Sequence, residues 1–339
     1  MKKLVCVQPE LLEYKNTTPP VLQSGHAILK IKRIGICGTD LHAYKGTQPF
    51  FNYPRTLGHE LAADLIEADG ADGFVPGEAL TFIPYFNCGE CIACRNNKPN
   101  CCVNIKVFGV HIDGGMAEYV SVPSYALVKG EGLSYEQLAL VEPLAIGAHG
   151  IKRAGVTDGE FVLVIGAGPI GLGTMQFAQI VGANVVALDI NDQRLLFCRE
   201  KLKVDYTINA ATENALAKLS EITGGNMPTV VIDATGNQKA INNALQYVAH
   251  GGRFVLIGLQ KEEISFSHPE FHKRETTLMS SRNATREDFE RVIKEMKNGL
   301  VDPSIYITQR IQFDDLKEAF QTRLYDADKV IKAMVTMDD

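Results

Sequence analysis

Along the first part of the chain, short apolar runs alternate with turns rich in Gly, Pro and Asn. The runs at 27–31, 61–66 and 117–122 have strand length and polar interruptions, so this part is predicted to be β-rich. Past Glu142 the texture changes. Residues 161–165 are five apolar residues in succession, the pattern of a strand buried on both faces. A glycine-rich turn follows, then a helical pattern over 172–181 and further apolar strands at 184–188, 229–233 and 253–257. Strands alternating with amphipathic helices imply β-α-β units on a parallel sheet. A helix over 287–297, a strand and a helix over 314–323 then return the chain. The whole reads as an α/β protein with a β-rich first domain and a doubly wound second one.

Composition narrows the partners. Acidic residues outnumber basic ones by 40 to 34, for a net charge of -6, with no long block of either sign. Nucleic-acid backbones and anionic membranes both call for clustered Lys and Arg, so neither is expected as a partner. No run approaches the ~18 apolar residues of a membrane span, and the apolar run at the start is shorter than a signal peptide is expected to carry. A cytoplasmic location is expected.

The sequence holds eight cysteines, and Cys88, Cys91, Cys94, Cys101 and Cys102 crowd one loop at 87–102. That density suits a metal better than disulfides. Spacing of the form Cys-x2-Cys-x2-Cys-x7-Cys lets one loop supply four thiolates to a closed tetrahedral zinc site. On chemistry alone either Cys101 or Cys102 could be the fourth ligand.

Gly166, Gly168 and Gly171 form a G-x-G-x-x-G turn between a buried strand and a helix. Its glycines serve a tight turn, close approach to a pyrophosphate and helix–strand packing; with Pro169 and Ile170 they open the helix whose free N–H groups face the phosphates. Asp189 ends the next strand about 20 residues on, where a carboxylate binds the adenosine ribose and repels a 2′-phosphate. NAD is therefore expected over NADP, with Ile190 and Arg194 beside it.

Three separate strings complete the pattern: 35–42 with Cys37, Thr39 and His42; 58–60 with His59 and Glu60; and 141–144 with Glu142. Together with the cysteine cluster and the glycine turn they resemble the zinc-containing medium-chain dehydrogenase/reductases over the whole chain. The resemblance implies a GroES-like β-barrel catalytic domain at 1–143 with a structural-zinc lobe at 87–102. It implies a Rossmann NAD domain at 144–282 and a C-terminal return at 283–339. It selects Cys102 as the fourth structural ligand and implies two zinc ions per chain. Glu142 stands where the liver-type enzymes carry a second cysteine, which resembles the polyol and threonine dehydrogenase branch. There the catalytic metal keeps Cys37 and His59, and its third ligand is Glu60 or Glu142. Thr39 resembles the family's proton relay, with His42 next in line. A dimer or tetramer built through the Rossmann sheet edge near Leu278 is implied as well.

The strings at 47–51, 53–55, 109–111, 233–238, 269–273 and 281–285 resemble those of L-galactonate 5-dehydrogenases, which oxidise a six-carbon sugar acid to D-tagaturonate. A substrate carboxylate needs a cation, and Arg282, Lys273 and Arg55 are candidates, Arg282 first; Phe50 could wall the cleft. L-Gulonate, sorbitol and then L-threonine are the alternative substrates. A retired relative that binds NAD as a regulator would have lost Cys37, His59 or Thr39, and all three stand.

Overall fold

The computed structural model describes residues 1–49, 51–326 and 329–337. Phe50, one of the expected substrate residues, lies outside them. Two compact units emerge: Met1–Glu142 with Thr285–Asp339, and Pro143–Ala284.

The first unit is organised around a seven-stranded sheet. Its central strand, His26–Gly35, is buried on both faces and pairs antiparallel with Glu60–Ala68 and Tyr119–Pro123. The C-terminal strand Lys332–Thr336 pairs with its far end, setting Met334 against Gly35. The last segment of the chain thus completes a sheet begun by the first. Register slips against Glu60–Ala68 at Ile28/Leu29 and Ile31/Arg33, and such bulges bend a sheet toward closure. Leu29, Ile31, Ile34, Leu61, Leu65 and Leu80 fill the core beneath, each at most 2% exposed. An antiparallel hairpin, Lys2–Gln8 with Leu11–Asn16, is not marked by the apolar runs, because its second strand carries Glu13, Lys15 and Asn16 on a half-exposed edge.

The second unit is a six-stranded, all-parallel sheet. Its spatial order is Tyr206–Asn209, Asn184–Asp189, Phe161–Ile165, Val230–Asp233, Arg253–Leu256, Thr277–Ser280. This is the doubly wound order in which the first strand of the unit lies beside the fourth, and the strand order reverses between them. Val162, Leu163, Val164, Val230 and Val231 are wholly buried; burying each such side chain contributes roughly 1.5–3 kcal/mol. The outer strands Tyr206–Asn209 and Thr277–Ser280 are half-exposed and were not predicted from the apolar pattern. Among the described residues no helix is long and apolar enough to cross a membrane.

Candidate active site and metal centres

Cys37 ends the turn after His26–Gly35 and caps the helix Gly38–Tyr44. The Asp40 carboxylate accepts the Cys37 N–H at 2.9 Å and the Gly58 N–H at 3.1 Å, which ties the cysteine loop to the His59 loop. Asp40 is 1% exposed. Burial raises its pKa, against the lowering pull of His59 and those N–H donors.

His59 is buried, with Nδ1 3.9 Å from Asp40 Oδ1 and no hydrogen-bond partner for that nitrogen. Burial alone lowers its pKa, but Cys37, Asp40 and Glu142 around it push it well above the usual imidazole value. A ring nitrogen of His59, the Cys37 sulfur and a Glu60 oxygen lie within 4.8 Å of one another. Three residues from two distant segments therefore offer a thiol, an imidazole and a carboxylate to one point.

The two glutamates have different partners. Glu60 is wholly buried, and both its oxygens accept from Lys332 Nζ, at 2.6 and 2.7 Å. Burial by itself lowers the Lys332 pKa; the Glu60 carboxylate, with Cys37 and Glu142, keeps it above the ordinary lysine value. Gly35 makes room for this pair, since a Cβ there would stand 2.1 Å from Glu60 Oε2. Glu142 is the second residue of the helix Val141–Ala154, 5% exposed, and accepts a hydrogen bond from the Tyr85 hydroxyl. Burial, with the Glu60 charge, pushes its pKa up to about 7, against the pull of His59, Tyr85 and Lys332. The same burial and the Glu142 charge hold the Tyr85 phenol well above its usual value.

Thr39 is half-buried on the Cys37 helix. One turn on, His42 is exposed, with Nδ1 3.0 Å from Thr47 Oγ1.

The cysteine loop folds so that Cys88, Cys91, Cys94 and Cys102 place their sulfurs within 4.8 Å of one another. The Cys91–Cys94 and Cys88–Cys102 sulfurs are 3.4 and 3.5 Å apart, near the ~3.8 Å of a tetrahedron with zinc–sulfur bonds of ~2.3 Å. Backbone N–H groups of Cys94 and Val103 draw the Cys91 thiol down to about 6. Cys102 is buried and Cys101 exposed, so geometry separates neighbours that spacing left equivalent.

In the second unit the glycine turn stands where the strand order reverses, at the end of Phe161–Ile165. Gly166 has φ +99°, and a Cβ there would meet Thr235 Cγ2 at 2.7 Å. Gly168 caps the helix Pro169–Ile180, which begins three residues before the predicted start because Pro169 takes its first turn. A Cβ on Gly168 would meet nothing within 4 Å. Asp189 closes Asn184–Asp189; its Oδ2 accepts the Ala167 N–H at 2.6 Å and its Oδ1 those of Ile190 and Asn191 at 2.7 and 2.9 Å. Ile190 is exposed, and Arg194 lies in the next helix, Asp192–Glu200.

Of the candidate cations, Arg282 and Lys273 are exposed and belong to the second unit, with Lys273 Nζ 3.9 Å from Glu270. Arg55, in the first unit, lies 4.0 Å from Asp113. Lys332, Tyr85, Asp40 and Gly35 were not marked by the sequence reading. Gly35 and Asp40 both lie inside the Cys37 string at 35–42, a signal that could have found them.

Residues 23–132 match the alcohol dehydrogenase GroES-like domain, and residues 169–298 match the zinc-binding dehydrogenase domain. The chain is 42% identical to an L-galactonate-5-dehydrogenase of Escherichia coli (strain K12), over 99% of each protein. It is 33% identical to an L-threonine 3-dehydrogenase of Pyrococcus horikoshii, over 88% of this chain and 87% of that one. Among solved structures, the short chain alcohol dehydrogenase RspB from Escherichia coli CFT073, complexed with NADH, matches with a TM-score of 0.92 and 31% identity, covering 99% of both chains.

Proposed function

The chain belongs to the zinc-binding alcohol dehydrogenase family, and we propose that it oxidises a secondary hydroxyl of a small polyhydroxy acid, L-galactonate to D-tagaturonate first of all, with NAD as acceptor. The observation that carries this reading is the meeting of a half-buried Cys37 with the buried His59 and Glu60 at one point. It is joined by the 42% identity to an enzyme of that name along nearly the full length.

The donor set suits zinc: the Cys37 thiol and the His59 imidazole, with Glu60 or Glu142, both buried beside them, as the carboxylate. The four clustered cysteines suit a second, structural ion. The open space over Gly168 suits a pyrophosphate. When bound, zinc supplies Lewis acidity toward the substrate hydroxyl and NAD accepts the hydride.

The chain's own residues do the rest. Asp40 holds the Cys37 and His59 loops together through two backbone N–H groups. Asp189 braces the glycine turn through the Ala167 N–H and disfavours a 2′-phosphate by its charge. Thr39 and then His42, at the exposed end of the same helix, carry the released proton outward. Arg282 is assigned the substrate carboxylate, which a guanidinium can grip in bidentate fashion. A homo-oligomer joined at the edge strand Thr277–Ser280 belongs to the same reading.

The test follows NADH formation by the zinc-loaded protein with L-galactonate, L-gulonate, sorbitol and L-threonine offered separately, and Cys37→Ala as control. Turnover of L-galactonate above the others, lost in the variant, is the expected result. Preference for another member of the panel would keep the chemistry and remove the substrate. Silence on all four with NADH still bound would overturn the enzyme reading for these substrates.

A further inference from the structure

Lys332 takes no part in the chemistry above, yet it is 3% exposed, and Lys32 is the only other buried lysine among the described residues. It opens the C-terminal strand Lys332–Thr336. Its ammonium has three N–H donors and meets three acceptors: Glu60 Oε1 at 2.6 Å, Glu60 Oε2 at 2.7 Å and the Ile36 carbonyl at 3.1 Å. Ile36 precedes Cys37, and Glu60 follows His59. One side chain therefore fastens both segments that bring sulfur and imidazole together. The backbone repeats the link, with the Ile36 N–H donating to the Ala333 carbonyl at 3.0 Å.

Charge points the same way. The Cys37 thiol and the Glu60, Glu142 and Asp40 carboxyls are more acidic groups than a divalent ion could offset, and the Lys332 ammonium brings a further positive charge to them. Asp40 among them is bonded to the N–H groups of Cys37 and Gly58. Gly35 leaves the space that Glu60 Oε2 occupies in its bond to the lysine, since a Cβ there would stand 2.1 Å from that oxygen.

We propose that Lys332 is a positioning residue of the catalytic metal centre: by gripping both Glu60 oxygens it keeps that carboxylate beside the metal without letting it close the coordination shell. The inference rests on the reading of Cys37 and His59 as metal ligands. It makes the C-terminal strand part of the metal centre and gives the two glutamates different duties, Glu60 being restrained by an ammonium and Glu142 by the Tyr85 hydroxyl.

The experiment uses full-length protein loaded with zinc or with cobalt(II) at the catalytic position. In Lys332→Met, Glu60 closes on the metal. Zinc should be retained against a chelator at least as well as in the wild type. The visible cobalt bands should weaken as coordination rises above four, and kcat should fall about tenfold or more. Lys332→Arg, which keeps the charge, should recover most of the spectrum. Lys332→Met combined with Glu60→Gln removes both charges, so no orphaned ion is buried if the single variant does not fold. The double variant should match Glu60→Gln alone in spectrum and kcat. A Lys332→Met protein with wild-type spectrum and kcat, one that loses its zinc, or a double variant unlike Glu60→Gln would each overturn the proposal. The metal reading fails separately, if the sulfur-to-cobalt charge-transfer band is missing in the wild type or survives in Cys37→Ser.

Discussion

Replacing Gly171 by alanine tests the cofactor cradle through a contact that the backbone leaves little room to relieve. The new Cβ would stand 1.8 Å from the Gly166 carbonyl oxygen and 2.9 Å from its carbon. Ordinary contact begins at 3.4 Å, so the carbonyl would have to retreat by the difference from 1.8 Å, which is 1.6 Å. Gly166 is poorly placed to do so. Its N–H bonds the Leu188 carbonyl at 2.8 Å, and its own face already lies against Thr235. Overpacking costs about 1–3 kcal/mol, and backbone pressed on backbone belongs at the upper end. At ~2–4 °C per kcal/mol for a domain of this size, the melting temperature should fall by about 6–12 °C. NADH affinity should fall about tenfold or more, since ~1.4 kcal/mol of misplacement is enough for that. Gly168→Ala is the matched control. Its backbone, at φ −76° and ψ 177°, accepts any residue, and its Cβ meets no protein atom within 4 Å. That variant should melt like the wild type and still bind NADH weakly, because only the cofactor could meet the methyl group. Calorimetry and a NADH fluorescence titration read both quantities. A Gly171→Ala protein with wild-type melting and binding would refute the packing argument. Normal binding by Gly168→Ala would remove that glycine from the cofactor site.

Three further outcomes are expected. In the chelated protein Glu142, with its pKa raised from 4.5 to about 7, holds its proton more tightly folded than unfolded. Its contribution to stability is therefore present below the unfolded value and lost as pH rises toward 7, by about 3 kcal/mol in all; denaturant midpoints of wild type and Glu142→Gln should diverge across that window, and parallel curves would contradict the assignment. Cys102→Ser should cost one zinc per chain by metal analysis and lower the melting temperature, whereas Cys101→Ser should do neither; equal effects would mean that burial does not pick the ligand. Arg282→Ala should raise KM for L-galactonate roughly tenfold, the worth of a charge-assisted contact, and leave KM for sorbitol unchanged; a parallel rise for both would show that the arginine does not read the carboxylate.

The glycine turn and the cysteine loop were legible in the sequence because each does its work within a short stretch. Gly166, Gly168 and Gly171 follow an uninterrupted apolar strand, and four thiols at loop spacing can reach one ion whatever surrounds them. The strings around Cys37, His59 and Glu142 named their chemistry only in combination, through resemblance to a family. Strands buried on both faces, such as Phe161–Ile165, announced themselves, while the half-exposed Thr277–Ser280 did not, since an edge strand need be apolar on neither face. What the sequence by itself determined was therefore the donor inventory and the central elements. Tertiary structure decided which donors meet. It buried Cys102 and left its neighbour Cys101 in solvent, gave Glu142 to Tyr85, and brought Lys332 across the chain to Glu60. The physical reason is that such pairings follow from sheet register and desolvation. Strand pairing sets Met334 against Gly35, and a carboxylate denied water must find a cation or a donor within reach. Neither the register nor the loss of water leaves a local mark in the order of the residues.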